Sequence, residues 1–180
     1  SLWYAGGEPE PWLSAYATEF LLRARAAGAA VTASAVKDAL KYLAEITDEG
    51  GSDPDMLVTR AYGFYVLALA GQGHPGGARV MAEQLDKLPT PLAKAQLGAA
   101  LALARDPARA ERAFDAALSG AERRWWPVDY GSALRDQAAI AVLLKESGIE
   151  GDRLTRLLAA MPGANLSADG LNTQEQAWTA

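Results

Sequence analysis

One pattern constrains this chain more than any other. A helix-length stretch that is apolar or small nearly all round, entered through a polar or proline-containing loop and usually left through glycine, occurs five times. The clearest copy is PWLSAYATEFLLRARAAG, Pro11 to Gly28. Weaker copies are MLVTRAYGFYVLALAGQG from Met56, TPLAKAQLGAALALARDP from Thr90, SALRDQAAIAVLLKESG from Ser132 and the short NTQEQAWTA from Asn172. In the first copy only Glu19, Arg23 and Arg25 are charged, and a helix without a polar face is buried on most sides. Between copies lie more polar segments with a narrow apolar stripe, such as Val36, Leu40, Leu43 and Ile46 set against Lys37, Asp38, Lys41 and Glu45. Inner helices therefore alternate with half-exposed outer ones. The fold class is all-α, built from helical hairpins.

Local signals place the boundaries. Pro11 suits a first helical turn, where a missing N–H costs nothing, and Gly28 suits the left-handed residue that ends a helix. Thr32 reads as the N-cap of the first outer helix, and Asp53 or Asp55, in the break TDEGGSDPD, caps the second inner one. Gly63 inside Met56 to Ala70 predicts close helix packing. An outer helix over Ala78 to Leu88 turns Val80, Met81, Leu85 and Leu88 inward. After the inner helix Leu92 to Ala104, a further outer one buries Ala110, Ala113, Phe114 and Leu118. Gly120 to Gly131, with RRWWPVDYG, is an aromatic and charged loop; Leu134 to Leu144 is the fourth inner helix and Asp152 to Met161 a short outer one.

Composition excludes several function classes. With 180 residues, 50% hydrophobic and 22% charged, one folded domain is expected. A net charge of -5 without a Lys/Arg cluster argues against nucleic acid and against a basic membrane-binding patch. No run reaches the roughly 18 apolar residues of a spanning helix. With no cysteine, the chain has no thiolate nucleophile, disulfide or cysteine metal site. No cofactor or metal site is read from the remaining residues.

Taking Ala15, Ala61, Ala95, Ala138 and Ala177 as equivalent positions, the spacing varies irregularly between about 34 and about 46 residues. A tetratricopeptide superhelix prefers a constant period near 34, and only the window from Lys94 to Leu118 looks like one, so a closed α/α toroid is favoured. Parallel inner helices gather their N-termini at one end. The candidate interface residues there are Trp12, Asp53, Asp55, Tyr130, Gln174, Glu175 and Gln176. Capping accounts for Asp53 and Asp55 better than a metal or general-acid pair does. Trp125 and Trp126 read as closing a helix end over the core. The inner-face Tyr16, Tyr62, Gln96 and Gln137 are expected to hydrogen-bond across the axis. The single histidine, His74, has no partners nearby and is given no role.

Three stretches in order, SLWYAGGEPEPWLSAYATEFLLRARAAG, RRWWPVDYGSALRDQAAIAVLL and NTQEQAW, resemble the thioester domain of the bacterial alpha-2-macroglobulin family, related to the complement thioester proteins. The resemblance covers essentially the whole chain. It implies an α/α toroid in which Pro11 to Gly28 is an interior helix, and a parent protein of the periplasm or cell envelope that traps proteases. Its partners would be the other domains of the parent and the proteases, and the segment would have no catalysis of its own. In that family a thioester between the Cys and Gln of a Cys-x-Glu-Gln motif acylates the attacker; the motif is expected before Ser1. The complement-type histidine would fall in Asp48 to Asp55, which has none. Residues 1–180 are thus expected to form an incomplete ring, with apolar surface uncovered on the first and last helices and a tendency to self-associate. Two alternatives stand beside this reading: a helical-repeat module that binds a peptide, and a toroid hydrolase or cyclase with clustered carboxylates.

Overall fold

A computed structural model describes residues 9–119, 129, 131–161 and 171–179. Among them the chain forms α1 (Pro11–Ala26), α2 (Ala33–Asp48), α3 (Pro54–Leu69), α4 (Pro75–Ala82), a 3₁₀ turn (Leu85–Lys87), α5 (Pro91–Leu103), α6 (Pro107–Leu118), α7 (Ala133–Glu146), α8 (Gly151–Ala160) and α9 (Thr173–Thr179), with no strand.

The odd-numbered helices are the five apolar copies, and each starts at a side chain that satisfies its first free N–H groups. The Glu10 carboxylate accepts from the N–H groups of Trp12 and Leu13. Asp53 accepts from Asp55 N–H at 2.8 Å, Thr90 from Ala93 N–H at 3.2 Å, Ser132 from Arg135 N–H at 3.1 Å and Asn172 from Glu175 N–H at 3.0 Å. Proline at the first position of α1, α3 and α5 fixes φ where no donor is missed.

The opposite ends repeat as well. Gly28, Gly71, Arg105 and Gly148 have φ of +89°, +73°, +58° and +67°. In each case the following N–H, that of Ala29, Gln72, Asp106 or Ile149, reaches back to the carbonyl of Ala24, Leu67, Leu101 or Leu144. This is one left-handed reversal used four times, and it turns α1, α3, α5 and α7 each into its outer partner. It also fixes the register of the repeat. The reversal comes ten residues after Ala61, Ala95 and Ala138, so the equivalent position in α1 is Thr18 rather than Ala15.

Each inner helix packs on the next, α1 on α3, α3 on α5, α5 on α7 and α7 on α9, while α2, α4, α6 and α8 cover the outside. The row is not straight. Helix axes in contact lie 8–10 Å apart, which would put α1 and α7 roughly 24–30 Å apart in a straight row. Yet Arg23 of α1 reaches Glu146 of α7 at 2.7 Å, and Phe20 of α1 shares a cleft with Trp178 of α9. The row therefore curls back on itself as in a toroid, and the open superhelix does not describe it. The inner helices run parallel: Ser132 at the start of α7 bonds Glu175 in the first turn of α9, while Arg23, Tyr65 and Glu146 meet near the far ends of α1, α3 and α7.

Three details differ from the sequence expectation. The second outer helix starts at Pro75, ends at Ala82 and gives way to the 3₁₀ turn, so Ala78, Met81 and Ala82 are buried while Val80 is 67% exposed. In α1 the buried residues are Trp12, Ala15, Thr18, Glu19 and Leu22; Phe20 is 66% exposed. Leu118 is only partly buried. The close packing expected at Gly63 is present, since a Cβ there would stand 2.8 Å from Thr47 Cγ2, whose side chain is buried between α2 and α3.

Two substitutions test these local causes. Arg105→Gly relieves a left-handed conformation at a non-glycine residue and is expected to raise stability by about 1 kcal/mol. Gly63→Ala gains helix propensity but overlaps Thr47, and is expected to lose about 1–3 kcal/mol. Urea denaturation of both variants checks the signs; a stabilised Gly63→Ala would contradict the packing.

Candidate functional site

Charges inside an apolar helix need partners, and Glu19 and Arg23 in α1 find them along the axis of the ring. Their i, i+4 spacing lets Arg23 Nε donate to Glu19 Oε1 at 2.7 Å. The Tyr62 hydroxyl of α3 donates to the other Glu19 oxygen, Oε2, so the carboxylate, only 3% exposed, is bonded on both sides. Arg23 then extends to α7: Nη1 and Nη2 donate to the two Glu146 oxygens at 2.7 and 3.0 Å. The Tyr65 hydroxyl of α3 accepts from Arg23 Nη2 at 2.8 Å and donates to Glu146 Oε2 at 3.1 Å. One guanidinium thus joins three inner helices.

The electrostatics follow from that geometry. Burial, then the adjacent Glu19 charge and its hydrogen bond, pushes the Tyr62 hydroxyl well above its ordinary value. Tyr65 moves the same way, by burial first and then Glu19, with Arg23 opposing. Burial would raise Glu146, but the hydrogen bond and charge of Arg23 hold its carboxyl below the ordinary value. The Glu146 bond in turn raises Arg23, against its own desolvation. Beside the network a cleft of about 330 Å³ opens between α1, α7 and α9, with Phe20, Val142 and Trp178 on its walls. Two carboxylates near a cleft are the ingredients of acid–base chemistry. Here Arg23 stands between them and pairs with both, so each carboxylate is engaged by the same guanidinium.

The sequence candidates fall elsewhere. Trp12 is 1% exposed, its ring stacked on Tyr16 with centroids 5.7 Å apart and tilted against Tyr62 at 5.8 Å, so it belongs to the core rather than to a surface loop. Asp53 caps α3 and Asp55 sits exposed in its first turn. Glu175 closes a capping box, accepting from Asn172 N–H at 2.9 Å while also accepting from the Ser132 hydroxyl, which locks α9 to α7. Gln174 is partly buried, and the exposed Gln176 donates to the Leu171 carbonyl at 3.1 Å. Tyr130, Trp125 and Trp126 lie outside the described residues. Tyr62 bonds Glu19 rather than the glutamines expected across the axis; Gln96 is 4% exposed and Gln137 partly so. His74 is exposed at the start of α4.

The residues that sequence reading passed over are Glu19, Arg23 and Glu146, together with Arg135, which lies 1% exposed between Asp129 at 3.0 Å and Asp136 at 2.9 Å. Their signal was present: each is a charge within, or at the end of, a copy of the apolar repeat.

The tyrosines give a pH test. Their folded values are raised above the ordinary value near 10, so the stability they contribute is complete below about pH 10 and declines as pH rises beyond it. Absorbance at 295 nm should show two of the six tyrosines ionising only together with loss of the helical circular dichroism signal. Ionisation of all of them near pH 10 in a still-folded chain would contradict the network.

No family model matches the chain. Individual proteins do. The chain is 31% identical over 187 residues to the alpha-2-macroglobulin of Escherichia coli K12, a match that covers 97% of the chain and 11% of that protein. It is 31% identical over 193 residues to the alpha-2-macroglobulin of Xylella fastidiosa Temecula1, covering 98% of the chain and 12% of that protein. In fold it matches the native E. coli protein seen by cryo-electron microscopy with a TM-score of 0.87 at 29% identity, over 99% of the chain and 12% of that structure. A crystal structure of the E. coli protein from domain MG7 to the C-terminus matches with a TM-score of 0.86 at 29% identity, over 98% of the chain and 29% of that structure. The chain thus spans about a tenth of the length of these curated relatives, 11% and 12%. Common sequence and common fold along nearly its whole length make it a homologue of one all-α segment of the bacterial alpha-2-macroglobulins.

Proposed function

We propose that the chain is a non-catalytic helical segment of a protease-trapping, alpha-2-macroglobulin-like protein of the periplasm or cell envelope. The observation that carries this reading is 31% identity over 97% of the chain to the E. coli protein. Relatives have been seen as trypsin-activated and porcine-elastase-activated forms of the E. coli protein, and as a Salmonella protein reacted with methylamine. The partners of this chain are then the other domains of its own polypeptide and the proteases that the whole protein engages. An amine that reacts covalently with such a protein is the chemistry expected of a thioester, and because the 180 residues contain no cysteine, the thiol of any thioester comes from outside them.

In this reading residues 1–180 make up most of a toroid. The cleft between α1 and α9, with Phe20 66% exposed on its wall, is the seat of helices from elsewhere in the polypeptide. The end where the inner N-termini meet, with Asp53, Asp55, Gln174, Glu175 and Gln176, faces neighbouring domains.

Two experiments test this. The full-length protein mixed with trypsin should carry the protease in a large complex that still cleaves a small peptide substrate but not a large protein; cleavage without retention of trypsin would sink the trap. Light scattering of the 180-residue chain alone should show self-association through the open cleft, weakened by Phe20→Ser. A clean dilute monomer would contradict the open ring.

A further inference from the structure

We propose that Arg23 and Glu146 form a clasp that sets how far the α1–α2 hairpin stands from α7 and α9, and with it the width of the cleft. The role of the cleft as a seat for further helices rests on the toroid reading above. Among the described residues α1 packs mainly on α2 and α3, and α2 on α1 and α3. This hairpin is therefore the end unit of the row and swings on α3. Its tie to α7 is made of side chains: the Arg23 fork on both Glu146 oxygens, buttressed by the Tyr65 hydroxyl.

The tie is placed to open. The two side chains are 38% and 39% exposed rather than enclosed in a packed interface, and Arg23 itself lines the cleft. A bidentate fork holds at one spacing only, and water and salt compete for it once the helices part. Glu19 behaves differently. Enclosed by Arg23 and Tyr62 and 3% exposed, it belongs to the α1–α3 contact and stays there whichever position the hairpin takes. Releasing Glu146 thus moves Phe20 and Trp178 apart without unmaking the hinge.

The absence of native cysteine allows a direct test. Lys37→Cys on α2 and Ala159→Cys on α8 are both exposed and can carry nitroxide labels for distance measurement. At low salt the otherwise wild-type chain, diluted into unlabelled chain so that only distances within one molecule are read, should give one dominant distance. Glu146→Gln, which leaves the Glu19–Arg23 pair in place, is expected to raise the share of a longer distance about fivefold. NaCl at about 1 M should bring out the same component in the wild type and change Glu146→Gln little. Arg23→Lys, which keeps the charge but loses the fork, should fall between. A Glu146→Gln distribution identical to wild type with unchanged circular dichroism overturns the clasp, as does an equal salt response in both. If Glu146→Gln fails to fold, the absence of a longer component both in Arg23→Lys and in the wild type at high salt overturns it equally. None of these measurements involves a protease, so the clasp and the trap fail or stand separately.

Discussion

A helix buried along nearly every side must still satisfy its ends. That constraint governs this molecule. The inner helices α3 and α5 are covered along their middle turns, and their first N–H groups and last carbonyls are met by the chain itself even where, as at Asp53 to Asp55, the end lies exposed. The solutions are uniform: an oxygen-bearing cap before the first turn, and a left-handed residue after the last one that sends the chain back antiparallel. Because each reversal produces an outer helix of the same sense, successive inner helices come out parallel. Parallel packing side by side is what allows the row to curl.

The curl brings charges together where none is expected. Removing a carboxylate and a guanidinium from water costs several kcal/mol for each ion unless partners replace the solvent. At Glu19 they do, with Tyr62 on one oxygen and Arg23 on the other. Such a pair contributes less to net stability than to register: sliding α1 by one turn against α3 would take the Tyr62 hydroxyl away from Glu19 Oε2 and leave that buried oxygen without its donor. Arg135 between Asp129 and Asp136 applies the same rule at the other end of the ring, close to the Ser132 cap. The first cluster ties α1, α3 and α7 together, whereas the second is local and ties Asp129 to the first turn of α7.

The hairpins were legible because their punctuation is local. Pro11, Gly28, Asp53, Gly71, Thr90, Ser132 and Gly148 act within a few residues of themselves, and reading them in order places the elements other than α4 to within a turn. Side-chain facing was harder. A helix apolar nearly all round does not mark its deepest face: in α1 the small residues Ala15 and Thr18 are buried along with Trp12 and Leu22, while Phe20 is left on the cleft. The same ambiguity explains why Ala15 misaligned with the other copies by three residues. At α4 the early start at Pro75 and the break before the 3₁₀ turn re-aimed Val80. The axial network depends on α1 meeting α7, a contact made by the curl of the whole row, and no window of sequence contains it. The resemblance to alpha-2-macroglobulins carried the functional reading, since the residues alone mark a ring and not its use.

The four identical reversals have a further consequence. Where an inner helix passes to an outer one, the connection is short and alike in every hairpin; where an outer helix passes to the next inner one, the connections differ widely, from the few residues between α2 and α3 to the long passages before α7 and α9. Most of the variation in chain length is therefore gathered on one rim of the ring. Such a body has a standardised base and a customised face, and loops on that face can be lengthened, shortened or exchanged to meet a neighbouring domain without altering how the hairpins stack beneath them.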